Sequence, residues 1–192
     1  PLDAFVALYA GTIGFVSGAE VLIDTAQRLS GHTGILIMCV GEGPIKAKLE
    51  MEAAAMALRN LKFLPFQPAS VLNQMQAVAD VGLVTLLPGA GKSSVPSKVL
   101  GYLAAGRPVI ASVAADSDTA AMIREGGCGL VAACLDPAAI VAAIQELASR
   151  PEVCTDMGAR GRAYFERFFD RGPCVAAYAK ILALDASVPG GQ

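Results

Sequence analysis

A parallel α/β sheet of about six strands, doubly wound with helices on both faces, is the fold that the sequence predicts, and three observations predict it. Short apolar runs recur at regular intervals along 192 residues, stretches with helical spacing lie between them, and the runs are continuous instead of alternating. Interleaved strand and helix signals imply a parallel sheet, whose strands are buried on both faces and therefore read as unbroken apolar stretches. Such a sheet takes its ligands at its carboxyl edge, near the switch in strand order.

The expected strands are 5–10, 35–40, 61–64, 81–87, 108–113 and 129–134. Between the first two, Val21, Leu22, Ala26 and Leu29 fall on one face of a helix. Ile140, Ile144 and Leu147 do the same behind an Asp136 cap with Pro137 at the first helical position. From Glu152 onward Met157, Tyr164, Phe165, Phe168 and Phe169 interleave with Arg160, Arg162, Arg167 and Arg171, which predicts a helical tail with a solvated arginine face. Gly172 and Pro173 are expected to break it before a last short helix at 175–184, and 188–192 to fray. The division expected is a domain over 1–150 with a helical appendage over 151–192, packed on it or on a further domain.

Composition excludes several classes. With 54% hydrophobic and 17% charged residues the chain is no disordered tail. Fifteen Lys and Arg against seventeen Asp and Glu leave a net charge of −2, so no global basic field holds nucleic acid, and any phosphate contact must be local. No charge-free apolar run reaches the ~18 residues of a spanning helix. Cys39, Cys128, Cys134, Cys154 and Cys174 include no CxxC pair and His32 is the one histidine, so no zinc site is expected and the thiols read as free and intracellular. Pro1 and Leu2 carry neither an initiator Met nor a signal-like segment, and a piece of a longer chain is expected.

Three loops carry the chemistry. Gly89-Ala90-Gly91-Lys92-Ser93-Ser94 ends like a phosphate-cradling P-loop, but Leu86 stands where that motif needs its first glycine and Pro96 interrupts its helix. Gly11-Thr12-Ile13-Gly14 and Gly41-Glu42-Gly43-Pro44 are strand-to-helix turns whose glycines would let backbone N–H groups approach a phosphate. In Ser94-Val95-Pro96-Ser97-Lys98, Pro96 suits a helix start, the serines offer hydroxyls, and Lys98 sits in the first turn. A cation there is mildly unfavourable by the helix dipole, by ~0.3–1 kcal/mol, and a bound diphosphate would reverse that sign. His32 is expected exposed at the opposite edge, and Asp80 reads as a turn or cap residue.

The order of these motifs resembles the carboxy-terminal half of family 4 glycosyltransferases of the GT-B fold. The likeness runs through Leu8-Tyr9-Ala10-Gly11-Thr12-Ile13-Gly14, Val40-Gly41-Glu42-Gly43-Pro44, Leu61-Lys62-Phe63-Leu64-Pro65-Phe66 and Ala79-Asp80-Val81-Gly82-Leu83. It continues through Ser94-Val95-Pro96-Ser97-Lys98 and Tyr102-Leu103-Ala104-Ala105-Gly106-Arg107-Pro108-Val109-Ile110-Ala111, and the Pro-Ser-Lys form is similar to bacterial surface-polysaccharide enzymes of the L-fucosamine transferase type.

The resemblance implies a Rossmann-like domain that binds a nucleotide sugar, a UDP-sugar above all, and faces an amino-terminal acceptor domain. It places Gly11, Thr12 and Gly14 under the diphosphate or sugar, Gly41 and Glu42 along the nucleotide cleft, and Pro65, Phe66 and Gln67 near the base. Ser94, Val95, Pro96, Ser97 and Lys98 would contact sugar and phosphates, with Lys98 offsetting charge on the leaving nucleotide as the catalytic group and no metal or other cofactor.

This sequence departs from the family pattern at two places. Ser93 and Gly101 stand where members carry a glutamate pair, the second of which commonly holds the ribose; Thr12 and Ser17 replace a basic pair. Lys98, Arg107 or Lys92 are therefore expected to carry the phosphate work. The expected function is the donor-binding half of a glycosyltransferase, retaining by analogy, that moves sugar to a polysaccharide or lipid-linked acceptor and needs its partner domain for turnover. It is expected in the cytoplasm, at the inner membrane face through that domain. The alternatives are a sugar-nucleotide epimerase of the same fold and a degenerate nucleotide-binding or scaffold domain.

Overall fold

The structure, a computed structural model, describes residues 4–89 and 95–185, so Lys92, Ser93 and Ser94 lie outside the described residues. Six parallel strands form one sheet: β1 (Phe5–Ala10), β2 (Ile35–Val40), β3 (Leu61–Leu64), β4 (Val81–Thr85), β5 (Val109–Ser112) and β6 (Gly129–Ala132). Their order is β3-β2-β1-β4-β5-β6, so the winding reverses between β1 and β4. The helices are α1 (Val21–Arg28), α2 (Lys46–Ala55), α3 (Ala69–Ala77), α4 (Ser97–Ala104), α5 (Asp118–Gly126), α6 (Pro137–Ser149), α7 (Pro151–Phe168) and α8 (Arg171–Asp185).

The expected strands all form, three of them shorter than the apolar runs that announce them. β6 ends early because Ser112, the last residue of β5, takes over its hydrogen bonds: the hydroxyl donates to the Ala133 carbonyl (3.0 Å) and accepts from Leu135 N–H (2.8 Å). After Thr85 the chain bends toward the first loop, where Leu87 N–H meets the Val16 carbonyl at 3.2 Å. Hydrophobic residues on the two sheet faces form two cores. One joins α1, α2 and α6 through Leu22, Ala26, Leu49, Ile140 and Ile144. The other joins α4 and α5 through Val99, Tyr102, Leu103 and Ile123. Asp136 caps α6 by accepting from Ala138 and Ala139 N–H, with Pro137 first in the helix.

Two readings of the tail are corrected. The break falls at Phe169 and Asp170, and α8 begins at Arg171, because Pro173 lies in its first turn, where a missing N–H costs nothing. Arg160 and Arg162 are exposed, as expected of a solvated face, and also reach backbone: Arg160 donates to the Gly127 carbonyl at the end of α5 (2.8 Å), and Arg162 to the Ala104 carbonyl at the end of α4. Each places a cation at the negative end of a helix. Gly158 lets α7 sit against the α4–β5 turn, since a Cβ there would stand 2.2 Å from the Gly106 oxygen.

Candidate functional site

The carboxyl edge opens where the winding reverses. β1 pairs with β2 along six residues but with β4 only at Ala7 and Leu8. Beyond that point Tyr102 of α4 serves the β1 backbone: its hydroxyl donates to the Leu8 carbonyl and accepts from Ala10 N–H, both at 2.8 Å. The ring fits because residue 82 is glycine, whose added Cβ would stand 2.2 Å from it. Burial pushes the phenol's pKa upward and keeps it a neutral donor.

The two glycine turns are tied to each other. Gly11 N–H donates to the Val40 carbonyl and Ile13 N–H to the Glu42 carbonyl, each at 2.9 Å. A Cβ on Gly41 would lie 1.9 Å from the Gly11 oxygen, so only glycine permits the approach. Ser17, in place of a family cation, staples the first loop by donating to the Gly14 carbonyl at 2.6 Å.

A cavity of about 640 Å³ lies over these loops, within the range of small-ligand sites. Its walls include Tyr9, Gly11, Thr12 and Gly14 of β1 and the loop after it, and Phe66 and Gln67 after β3. Gln76 of α3 and Ser97, Lys98 and Gly101 of α4 complete it. Lys98 is the one charged residue among its described lining. Its Nζ stands 3.6 Å from the Tyr9 ring centroid, and its side chain lies over Gly11, whose added Cβ would meet Cε at 3.3 Å. Burial pulls the ammonium down to about 8, while the ring face favours the charged form. Phe66 is 71% exposed at the mouth, an aromatic face open to stacking.

The structure thus gathers Gly11, Thr12, Gly14, Phe66, Gln67, Ser97 and Lys98 around one cavity. Pro65, Val95 and Pro96 flank it without lining it, and Ser94 lies outside the described residues. Gly41, Glu42 and Arg107 are not brought to the cavity. Glu42 is turned to the rim, paired with Lys46 at 2.8 Å, and Gly41 serves the packing of the loops. Hydrogen bonding from Lys46 lowers the Glu42 pKa. Arg107 follows α4, so the helix carries it to the amino edge, where it donates to the Ala77 carbonyl beside Asp80 and Pro108.

Asp80 is the strand-end residue expected, its carboxylate accepting from Val6 N–H at 2.7 Å. His32 is exposed, its Nε2 2.9 Å from Gln145 Nε2. Among the described residues no three His, Cys, Asp or Glu side chains come together as a metal-holding group, and the five cysteines are free. Several wall residues escaped the sequence reading, Tyr9 and Gln76 among them. Tyr9 reads as strand core, and Gln76 carries no signal beyond a polar residue on a helix.

A model of the family described as glycosyl transferases group 1 matches residues 4–150. The chain belongs to that glycosyltransferase family. WcaI of Escherichia coli K12, whose name assigns it to colanic acid biosynthesis, is 32% identical over 174 residues, covering 89% of this chain and 41% of WcaI. Sucrose-phosphate synthase of Thermosynechococcus elongatus superposes with a TM-score of 0.81 at 21% identity over 98% of this chain and 47% of that one. Anabaena HepE in complex with UDP-glucose superposes with a TM-score of 0.77 at 17% identity over 97% and 50%. These structural likenesses establish the Rossmann-like fold of GT-B enzymes. The chain spans less than half the length of the curated relatives it matches. No helix among the described residues is long and apolar enough to cross a membrane.

Proposed function

We propose that this glycosyltransferase chain is the donor-binding half of an enzyme that transfers a sugar from a nucleotide diphosphate sugar, a UDP-sugar in the first instance, to a polysaccharide or lipid-linked acceptor. The observation that carries the reading is the position of Lys98. It opens α4 beneath the cavity, over Gly11 and beside Ser97, at the edge where a parallel sheet binds its ligands. The complexes of HepE with UDP-glucose and of Staphylococcus aureus TarM with UDP, on the same fold, support a uridine donor.

In this reading the helix N-terminus and the Lys98 ammonium bind the diphosphate. Transfer breaks the bond between the anomeric carbon and the phosphate oxygen, and forms one to the acceptor hydroxyl oxygen. The hydroxyl's proton passes to the departing phosphate. Lys98 stabilises the charge that gathers on that phosphate, without a resident metal. The acceptor is held by an amino-terminal domain across the cleft, and any membrane association belongs to that domain.

Calorimetric titration of the full-length protein with UDP, GDP, ADP, TDP and UDP-N-acetylglucosamine, with and without magnesium, tests the reading. Selective binding of the uridine compounds that persists in EDTA is expected. Absence of binding by every nucleoside diphosphate at millimolar concentration would overturn it.

A further inference from the structure

We infer that Gln76 is the group through which this cavity recognises the ribose diol of its nucleotide, in the space that residue 101 leaves open. The inference rests on the nucleotide-sugar reading. Gln76 is only 7% exposed, yet its side chain forms part of the cavity wall. Among the described residues its amide finds no hydrogen-bond partner. The amide is open to the cavity, where a ligand's hydroxyls meet a free donor and a free acceptor.

Gly101 explains how the amide comes to stand there. A Cβ on residue 101 would lie 2.6 Å from Gln76 Nε2, so any side chain on α4 at that point would displace it. The glycine and the glutamine are complementary, one removing what the other supplies. Gly101 follows Lys98 by three residues, one turn along the same face of α4, and the amide and the ammonium line the same cavity.

The chemistry of an amide suits a diol. Oε1 accepts from one hydroxyl and Nε2 donates to its neighbour, whereas a carboxylate only accepts. The amide also carries no charge. With Lys98 the single cation among the described lining, a carboxylate at this wall would subtract from the attraction for a diphosphate.

Titration of the full-length protein with UDP and with 2′,3′-dideoxy-UDP tests the assignment. The wild type is expected to prefer UDP by at least tenfold. Gln76→Met, of similar length and without the amide, should bring the two within about twofold by weakening UDP and leaving the dideoxy compound unchanged. Gln76→Glu should keep the preference while weakening both nucleotides. Equal binding of the two by the wild type, or a preference that survives in Gln76→Met, overturns the assignment. Should Gln76→Met fail to fold, Gln76→Glu decides, since loss of its preference counts against the assignment and retention with weaker binding supports it. Failure of the wild type to bind any nucleoside diphosphate removes the donor reading itself, and this inference with it.

Discussion

The Lys98 ammonium lies 3.6 Å above the centre of the Tyr9 ring, a residue of the central strand. The pairing aims a cation from a helix on one side of the cleft at the glycine loop on the other. It also holds that cation where little water reaches it, at a cost in its proton affinity.

Replacing Lys98 with Met is expected to lower kcat/KM of the full-length enzyme by ~10²–10³, the range for losing one preorganised donor to a developing anion. Lys98→Arg should not restore it, because the planar guanidinium cannot occupy the narrow space between the Tyr9 ring and Gly11. Steady-state kinetics on the three proteins checks both statements.

The position of the Lys98 pKa, about 8 against an ordinary 10.5, fixes a pH dependence. Below about 8 the group is charged in both folded and unfolded chains; between 8 and 10.5 only the unfolded chain holds the proton. Unfolding therefore takes up protons in that window, so the contribution of Lys98 to stability rises with pH across it. Donor binding runs the other way, weakening by at most about tenfold per unit as pH climbs above 8. Titrations from pH 6.5 to 9.5 on the wild type and Lys98→Met separate the two effects, the variant losing both.

Gly41→Ala should destabilise the fold by more than about 4 kcal/mol, since its methyl would lie 1.9 Å from a backbone oxygen that no rotamer change can move. Chemical denaturation monitored by circular dichroism measures the loss. Gly31→Ala is the control, with nothing within 4 Å of the added carbon, and should change stability little.

Tyr102→Phe leaves the Leu8 carbonyl and Ala10 N–H without their partner in the core. A cost of about 3 kcal/mol is expected, from ~1–3 kcal/mol for each orphaned group. Hydrogen exchange at Ala10 should speed up in the variant while Ile37, on the far side of β1, stays protected.

Arg160→Ala should cost about 1 kcal/mol, the worth of a cation on a helix carboxyl terminus, and the difference should shrink in high salt. Thermal melts at two ionic strengths check it.

The strands were legible because burial on both faces leaves continuous apolar runs, as 35–40 and 61–64 illustrate. Their carboxyl ends were less so, because Ser112 stops β6 through hydrogen bonds across the fold that no local pattern announces. Lys98, Ser97 and the first glycine loop were legible as neighbours in the cavity wall because each adjoins the turn that delivers it. Arg107 was misplaced for the same reason: it neighbours the Pro-Ser-Lys segment in sequence, but α4 intervenes and carries it to the other edge. Gln76 was illegible because its meaning depends on an absent side chain 25 positions away, at Gly101.

α4 is short, eight residues or about 12 Å, and its two ends are held in different ways. At its carboxyl end Arg162 grips the Ala104 carbonyl, and Gly158 of α7 closes against the turn that follows. At its amino end Lys98 rests on an aromatic face, with no hydrogen bond from its ammonium among the described residues. The helix is thus pinned at its far end and tied to β1 by Tyr102. A tilt of about 5° about the pin moves the cation by ~1 Å, the scale on which electrostatic help to a leaving group is won or lost. The placement of the cation in the cavity is therefore set partly by a glycine of the tail, Gly158, that never approaches it.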